Sequence, residues 1–178
     1  SLDQTFGAVV HIAIDQNYAG YILINDELKT DVIETIQKLK AAKIKRTVML
    51  TGDEQRVAAK ISEQLGLDGY YAELLPAEKV QKLEELYTLK SSNKKLAYVG
   101  DGINDAPVLA RADIGIAMGG LGSDAAIEAA DLVIMTDEPS KIATAIKIAK
   151  KTLRIANENA IFAIGIKFLV LIFSAFGM

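Results

Sequence analysis

Two apolar runs open the chain, residues 7–14 and 19–24, on either side of Asp15, Gln16, Asn17 and Tyr18. This spacing predicts a β-hairpin. The period then changes: Val32, Ile33, Ile36, Leu39 and Ala42 fall on one helical face, with Thr30 or Asp31 placed to cap its start. Short apolar runs and helical patterns alternate from there. A strand at 46–50 precedes a helix through Val57, Ala58, Ile61 and Leu65, then a short run at 70–72. A helix through Val80, Leu83, Leu86 and Tyr87 leads to a strand at 95–99. Strands at 113–117 and 131–135 flank a helix near 123–130, and a long helix starts around Pro139. This alternation predicts an α/β fold, a doubly wound parallel sheet with helices on both faces. Ligands bind such sheets at the carboxyl ends of their strands.

The pattern changes once more at the end. Residues 160–178 carry a single charge, Lys167, and Lys141, Lys147, Lys150, Lys151 and Arg154 stand just before them. Nearly 20 apolar residues are what a membrane helix needs, and a basic flank marks the cytoplasmic side. The run stops with no polar residue after it and reads as a membrane segment cut short. The 20 basic and 23 acidic side chains give no wholesale attraction to nucleic acid. With no cysteine and one histidine, the chain holds no disulfide framework, cysteine-type zinc site or cysteine nucleophile. His11 lies inside the first apolar run and reads as a strand residue.

The chemistry gathers where the strands end. Gly100, Asp101, Gly102, Ile103, Asn104, Asp105, Ala106 and Pro107 follow the strand at 95–99. Two carboxylates and an amide on a glycine-rich turn suit Mg²⁺ and a phosphate, since Mg²⁺ takes oxygen ligands and keeps several waters. The strand at 46–50 ends in Thr51, Gly52 and Asp53, offering a hydroxyl and an accessible backbone N–H. Between the two, Pro76, Ala77, Glu78 and Lys79 put a compact positive charge at the opening of a helix.

These residues, in this order, resemble the later motifs of the haloacid-dehalogenase superfamily in the version used by P-type ATPases. Thr-Gly-Asp, Pro-x-x-Lys and Gly-Asp-Gly-x-Asn-Asp-Ala-Pro carry the likeness. It continues through residues 112–119, 122–126 and 127–135, which are similar to heavy-metal-transporting P-type ATPases. Lys167 within an apolar helix further resembles the zinc/cadmium/lead subgroup. The family's phosphorylated aspartate lies in an Asp-Lys-Thr-Gly-Thr motif that this chain does not contain.

The resemblance implies a C-terminal segment of an ATP-driven cation pump in the cell membrane, working through an aspartyl phosphate with Mg²⁺ and ATP. Residues 1–25 are expected as the last hairpin of the nucleotide-binding domain, 26–156 as a partial phosphorylation domain on the cytoplasmic side, and 157–178 as the start of a transmembrane helix. Asp101 is expected to ligate Mg²⁺. Thr51, Gly52, Lys79 and Asn104 are expected to hold phosphoryl oxygens, Asp105 to orient Lys79 or a neighbouring loop, and Asp53 to sit near nucleotide. The partners implied are the rest of the ATPase, with the transported metal bound elsewhere. The sheet is expected to lack its central strand, the one that carries the missing motif. The hairpin runs 9–14 or 21–24 then become candidates to fill that gap, within one chain or in a strand-exchanged dimer. An alternative function follows, a free-standing, non-catalytic binding or assembly module. A soluble phosphatase of the same superfamily is disfavoured, because Asp15 and Asp26 lack the sequence context of its nucleophile.

Overall fold

The computed structural model describes residues 8–24, 28, 31–100, 102–119, 124–136 and 138–175. Strands β1 (Ala8–Ile14) and β2 (Asn17–Ile24) pair antiparallel through the two-residue turn Asp15 and Gln16. Both turn residues have positive φ, 49° and 64°, the conformation whose twist matches a tight hairpin. His11 lies on β1 beside the rings of Tyr18 and Tyr21, with Nδ1 3.4 Å from the Tyr18 hydroxyl. β1 and β2 pair with each other and with no other described strand. The hairpin therefore does not fill the gap within this chain; hydrogen bonding between adjacent runs closes the smallest loop first.

The remaining elements alternate as the periodicity predicts. They are α1 (Val32–Ala41), β3 (Val48–Leu50), α2 (Gln55–Leu65), β4 (Gly69–Tyr71), α3 (Pro76–Leu89) and β5 (Ala97–Gly100), then a 3-10 turn (Ile103–Asp105) and α4 (Ala106–Leu109). β6 (Ile114–Met118), α5 (Asp124–Ala129), β7 (Leu132–Ile134) and α6 (Ser140–Ala175) complete the chain. β3 pairs parallel with β4, and β5, β6 and β7 form a second parallel set in that order. No described strand joins the two sets, so β3 has a bare edge away from β4 and β5 a bare edge away from β6. The gap between the two sets is where the central strand is expected to be missing.

β6 sets the layers. Successive side chains on a strand point to opposite faces, and Ala117 packs with Leu83, Tyr98, Val108, Leu109 and Ala126 on one side. Ile116 and Met118 pack with Ile134 and Ile142 on the other, beneath Leu39 and Ile146. Helices α3, α4 and α5 thus cover one face, and α1 with the start of α6 the other. Leu83 and Leu109 are 1% exposed, and burying each side chain contributes about 1.5–3 kcal/mol.

The amino ends of the parallel strands share a device. Asp68, Asp113 and Asp131 each stand one residue before β4, β6 and β7. Each carboxylate accepts the backbone N–H of the residue across the ladder: Thr47 at 2.6 Å, Leu96 at 2.8 Å and Gly115 at 2.8 Å. The N–H of Thr47 holds the Asp68 carboxyl below the usual carboxylate range, helped by the Thr47 hydroxyl. For Asp113 the Leu96 N–H does the same, with Lys90 second.

Asp31 does not act as the expected side-chain cap of α1. It occupies the capping position without a side-chain cap bond, and its carboxylate instead accepts the Ser140 N–H at the start of α6, 3.1 Å away. The first N–H groups of any helix lack internal partners and favour negative charge; packing α6 beside α1 brings them within reach. α6 is 36 residues long, and by length and composition it is apolar enough to cross a membrane.

Candidate functional site

β3 delivers Thr51 at its carboxyl end. The Thr51 N–H donates to the Tyr71 carbonyl at 3.0 Å, continuing the β3–β4 ladder by one step. Its hydroxyl donates to Asp53 Oδ2 at 2.6 Å and accepts the Asp53 N–H at 3.1 Å, a local turn of the kind threonine and aspartate favour. Gly52 between them is exposed. The next loop is pinned onto this turn: the Leu74 N–H donates to the Thr51 carbonyl at 3.0 Å and the Glu73 N–H to the Asp53 carbonyl at 2.9 Å.

That loop ends where α3 begins. Pro76 takes the first helical position, which needs no N–H, and Glu78 reaches back to accept the Leu75 N–H at 2.7 Å. Lys79 follows one residue later and points across to the end of β5. Its Nζ lies 2.9 Å from Asp105 Oδ1, with the two side chains 17% and 13% exposed. The Tyr98 hydroxyl donates to the same oxygen at 3.0 Å. Gly100 lies directly beneath: a Cβ there would stand 2.8 Å from Asp105 Cβ and 2.9 Å from Oδ2. Only glycine lets this carboxylate settle against the strand end.

The structure therefore brings Lys79 and Asp105 into contact and ties Thr51, Gly52 and Asp53 to the loop that launches α3. Asn104 is exposed in the 3-10 turn just before Asp105. Asp101 lies outside the described residues, as do residues 122 and 123 of the sequence match. Sequence reasoning took Tyr98 only as part of an apolar strand. Its spacing from Gly100 is the available signal, since residues two apart on a strand share a face.

The arrangement presents a hydroxyl, an open loop and a lysine whose ammonium has three N–H donors, one of them spent on Asp105. Such a set can grip a phosphoryl group. The oxygen donors at the two strand ends include no sulfur or imidazole, a hard set that fits Mg²⁺. Among the described residues no three His, Cys, Asp or Glu side chains converge; one or two carboxylates with water and phosphate oxygens satisfy Mg²⁺.

The sequence profile of the haloacid dehalogenase-like hydrolases matches residues 2–113. The cadmium, zinc and cobalt-transporting ATPase of Bacillus subtilis is 56% identical over 176 residues, covering 99% of this chain and 25% of its own length. The zinc-transporting ATPase of Synechocystis is 56% identical over 172 residues, covering 97% of this chain and 24% of its own. The chain thus spans about a quarter of the length of these relatives. Among solved structures, a zinc-transporting PIB-type ATPase in an E2.Pi state superposes with a TM-score of 0.82 at 37% identity, over 99% of this chain and 28% of that one. A probable YrbI-family phosphatase from Pseudomonas syringae, 18% identical with a TM-score of 0.60, shares the fold.

Proposed function

This chain belongs to the haloacid dehalogenase-like hydrolase family, and we propose that it is the phosphorylation-domain segment of an ATP-driven heavy-metal cation pump. The names of its relatives, a cadmium, zinc and cobalt-transporting ATPase and a zinc-transporting ATPase, support zinc or cadmium as the cargo. In this reading residues 1–25 close the nucleotide-binding domain, 26–156 form most of the phosphorylation domain on the cytoplasmic side, and 157–178 enter the membrane. The phosphorylated aspartate comes from elsewhere in the protein, because no Asp-Lys-Thr-Gly-Thr run occurs in this chain. In this reading a strand bearing it pairs with the bare edges of β3 and β5.

The observation that carries the proposal is the Lys79–Asp105 ion pair at the end of β5, linked through α3 and its leading loop to Thr51. Phosphoryl transfer needs positioning and charge neutralisation more than covalent help. Lys79 is a point charge held in place for the transferred group. Gly52 and Asn104 supply hydrogen bonds to its oxygens, Thr51 joins them when its hydroxyl turns from Asp53, and Asp105 orients Lys79. Asp53 faces the nucleotide. Mg²⁺, held by Asp101, would supply neutralisation of phosphate charge.

The test uses the full-length protein, followed by incorporation of the γ-phosphate of ATP with and without Zn²⁺ or Cd²⁺. A metal-dependent, acid-stable phosphoenzyme is expected. Asp101→Asn is expected to abolish it and Lys79→Ala to lower its yield. Undiminished phosphoenzyme in Asp101→Asn overturns the metal assignment, and an unchanged yield in Lys79→Ala removes that lysine from the site.

The bare edges also favour a second reading, an assembly module whose partner or second copy adds the missing strand. A dimer or larger species in dilute solution supports it, and a folded monomer argues against it.

A further inference from the structure

Asp105 Oδ1 receives two donors from two different elements, Lys79 from α3 and the Tyr98 hydroxyl from β5. We propose that Tyr98 is a positioning residue for phosphoryl transfer, holding the Asp105 carboxylate so that Lys79 is presented in one orientation; the proposal rests on the function given above. The ring of Tyr98 and its hydroxyl serve separate purposes. The ring packs with Leu83, Val108, Leu109, Ala117 and Ala126, work that phenylalanine performs equally well. The hydroxyl reaches past this cluster to a carboxylate at the strand end, where a buried tyrosine O–H finds its acceptor.

Two features make this contact consequential. The terminal torsion of an aspartate is broad, and a lysine is a long flexible chain, so the ion pair alone leaves both partners free to rotate together. A second donor, fixed by a packed ring on a strand, removes that freedom. The contact also fixes which carboxylate oxygen faces the Lys79 ammonium, since both donors meet on Asp105 Oδ1. Gly100 supports the same placement by letting Oδ2 rest against the backbone.

The experiment is a double-mutant cycle in the full-length pump, read as the single-turnover rate of phosphoenzyme formation at saturating Mg·ATP. Tyr98→Phe is expected to lower this rate about tenfold, with the affinity for ATP unchanged. In a Lys79→Ala background the same substitution is expected to lower it less than about twofold, because coupled residues are not additive. A Tyr98→Phe rate equal to wild type overturns the proposal. So does an equal loss in both backgrounds, the signature of a general structural defect. A wild-type protein that forms no phosphoenzyme from ATP instead overturns the functional reading on which the proposal stands.

Discussion

Lys150 closes the carboxyl end of α1: its Nζ donates to the Ala42 carbonyl at 2.7 Å, across 108 residues of chain. The last carbonyls of a helix lack internal partners and attract cations. At the other end of the same helix, the Asp31 carboxylate takes the Ser140 N–H. α1 and the first three turns of α6 therefore run side by side in the same direction, fastened at both ends, with Leu39, Ile142 and Ile146 packed between them.

These two fastenings lie about 15 Å apart along α6 and are expected to act independently. Asp31→Ala is expected to cost about 1 kcal/mol and Lys150→Met about 0.5 kcal/mol. Urea unfolding should give a double variant equal to the sum within about 0.5 kcal/mol. A strongly non-additive result would show that one contact depends on the other.

Two glycines make close approaches and separate function from stability. Gly100→Ala puts a methyl group on Asp105 and is expected to slow phosphoenzyme formation about tenfold or more, with a modest effect on unfolding. Gly115→Ala drives its Cβ to 2.6 Å from the Leu109 carbonyl oxygen, a backbone atom. That overpacking is expected to destabilise by about 1–3 kcal/mol. Comparing melting temperature with phosphorylation rate for both variants checks the distinction.

Asp113 makes the fold sensitive to acid. Its carboxyl titrates below the ordinary value of 3.8 in the folded chain, chiefly through the Leu96 N–H and then Lys90. A depressed folded pKa contributes stability above the unfolded value, and that stability is lost as pH falls through the folded one. Asp113→Ala is expected to cost about 1–3 kcal/mol at pH 7 by leaving the Leu96 N–H unpaired. The gap from wild type should narrow below about pH 4. Denaturation curves at pH 7, 5 and 3 measure it, and a gap independent of pH would assign the loss to packing.

The alternation of elements and the motifs at strand ends were legible in the sequence, because period and turn chemistry are local properties. Thr51, Gly52, Lys79, Asn104 and Asp105 stand out for that reason, each on a turn or in the opening turns of a helix. Other features depend on what the fold brings together. The Asp31 carboxylate serves a helix that begins 109 residues later. The Tyr98 hydroxyl is invisible to a pattern that scores it as apolar. The strand starts shift by one or two residues because Thr47, Leu96 and Asp113, read near strand ends, belong to the aspartate fastenings ahead of them.

α6 has consequences as a beam. Lys150 marks the end of its supported length; the 25 residues beyond, about 38 Å of helix, project past α1 as exposed residues. Supported and projecting lengths stand in a ratio of about one to two and a half. A sideways shift of about 1 Å at Ser140, pivoting on Lys150, becomes about 2.5 Å at the far tip. α1 also reaches α2, through Lys40 donating to the Gly66 carbonyl, and α2 starts two residues after Asp53. A small reseating of that loop is thereby geared up along one unbroken helix.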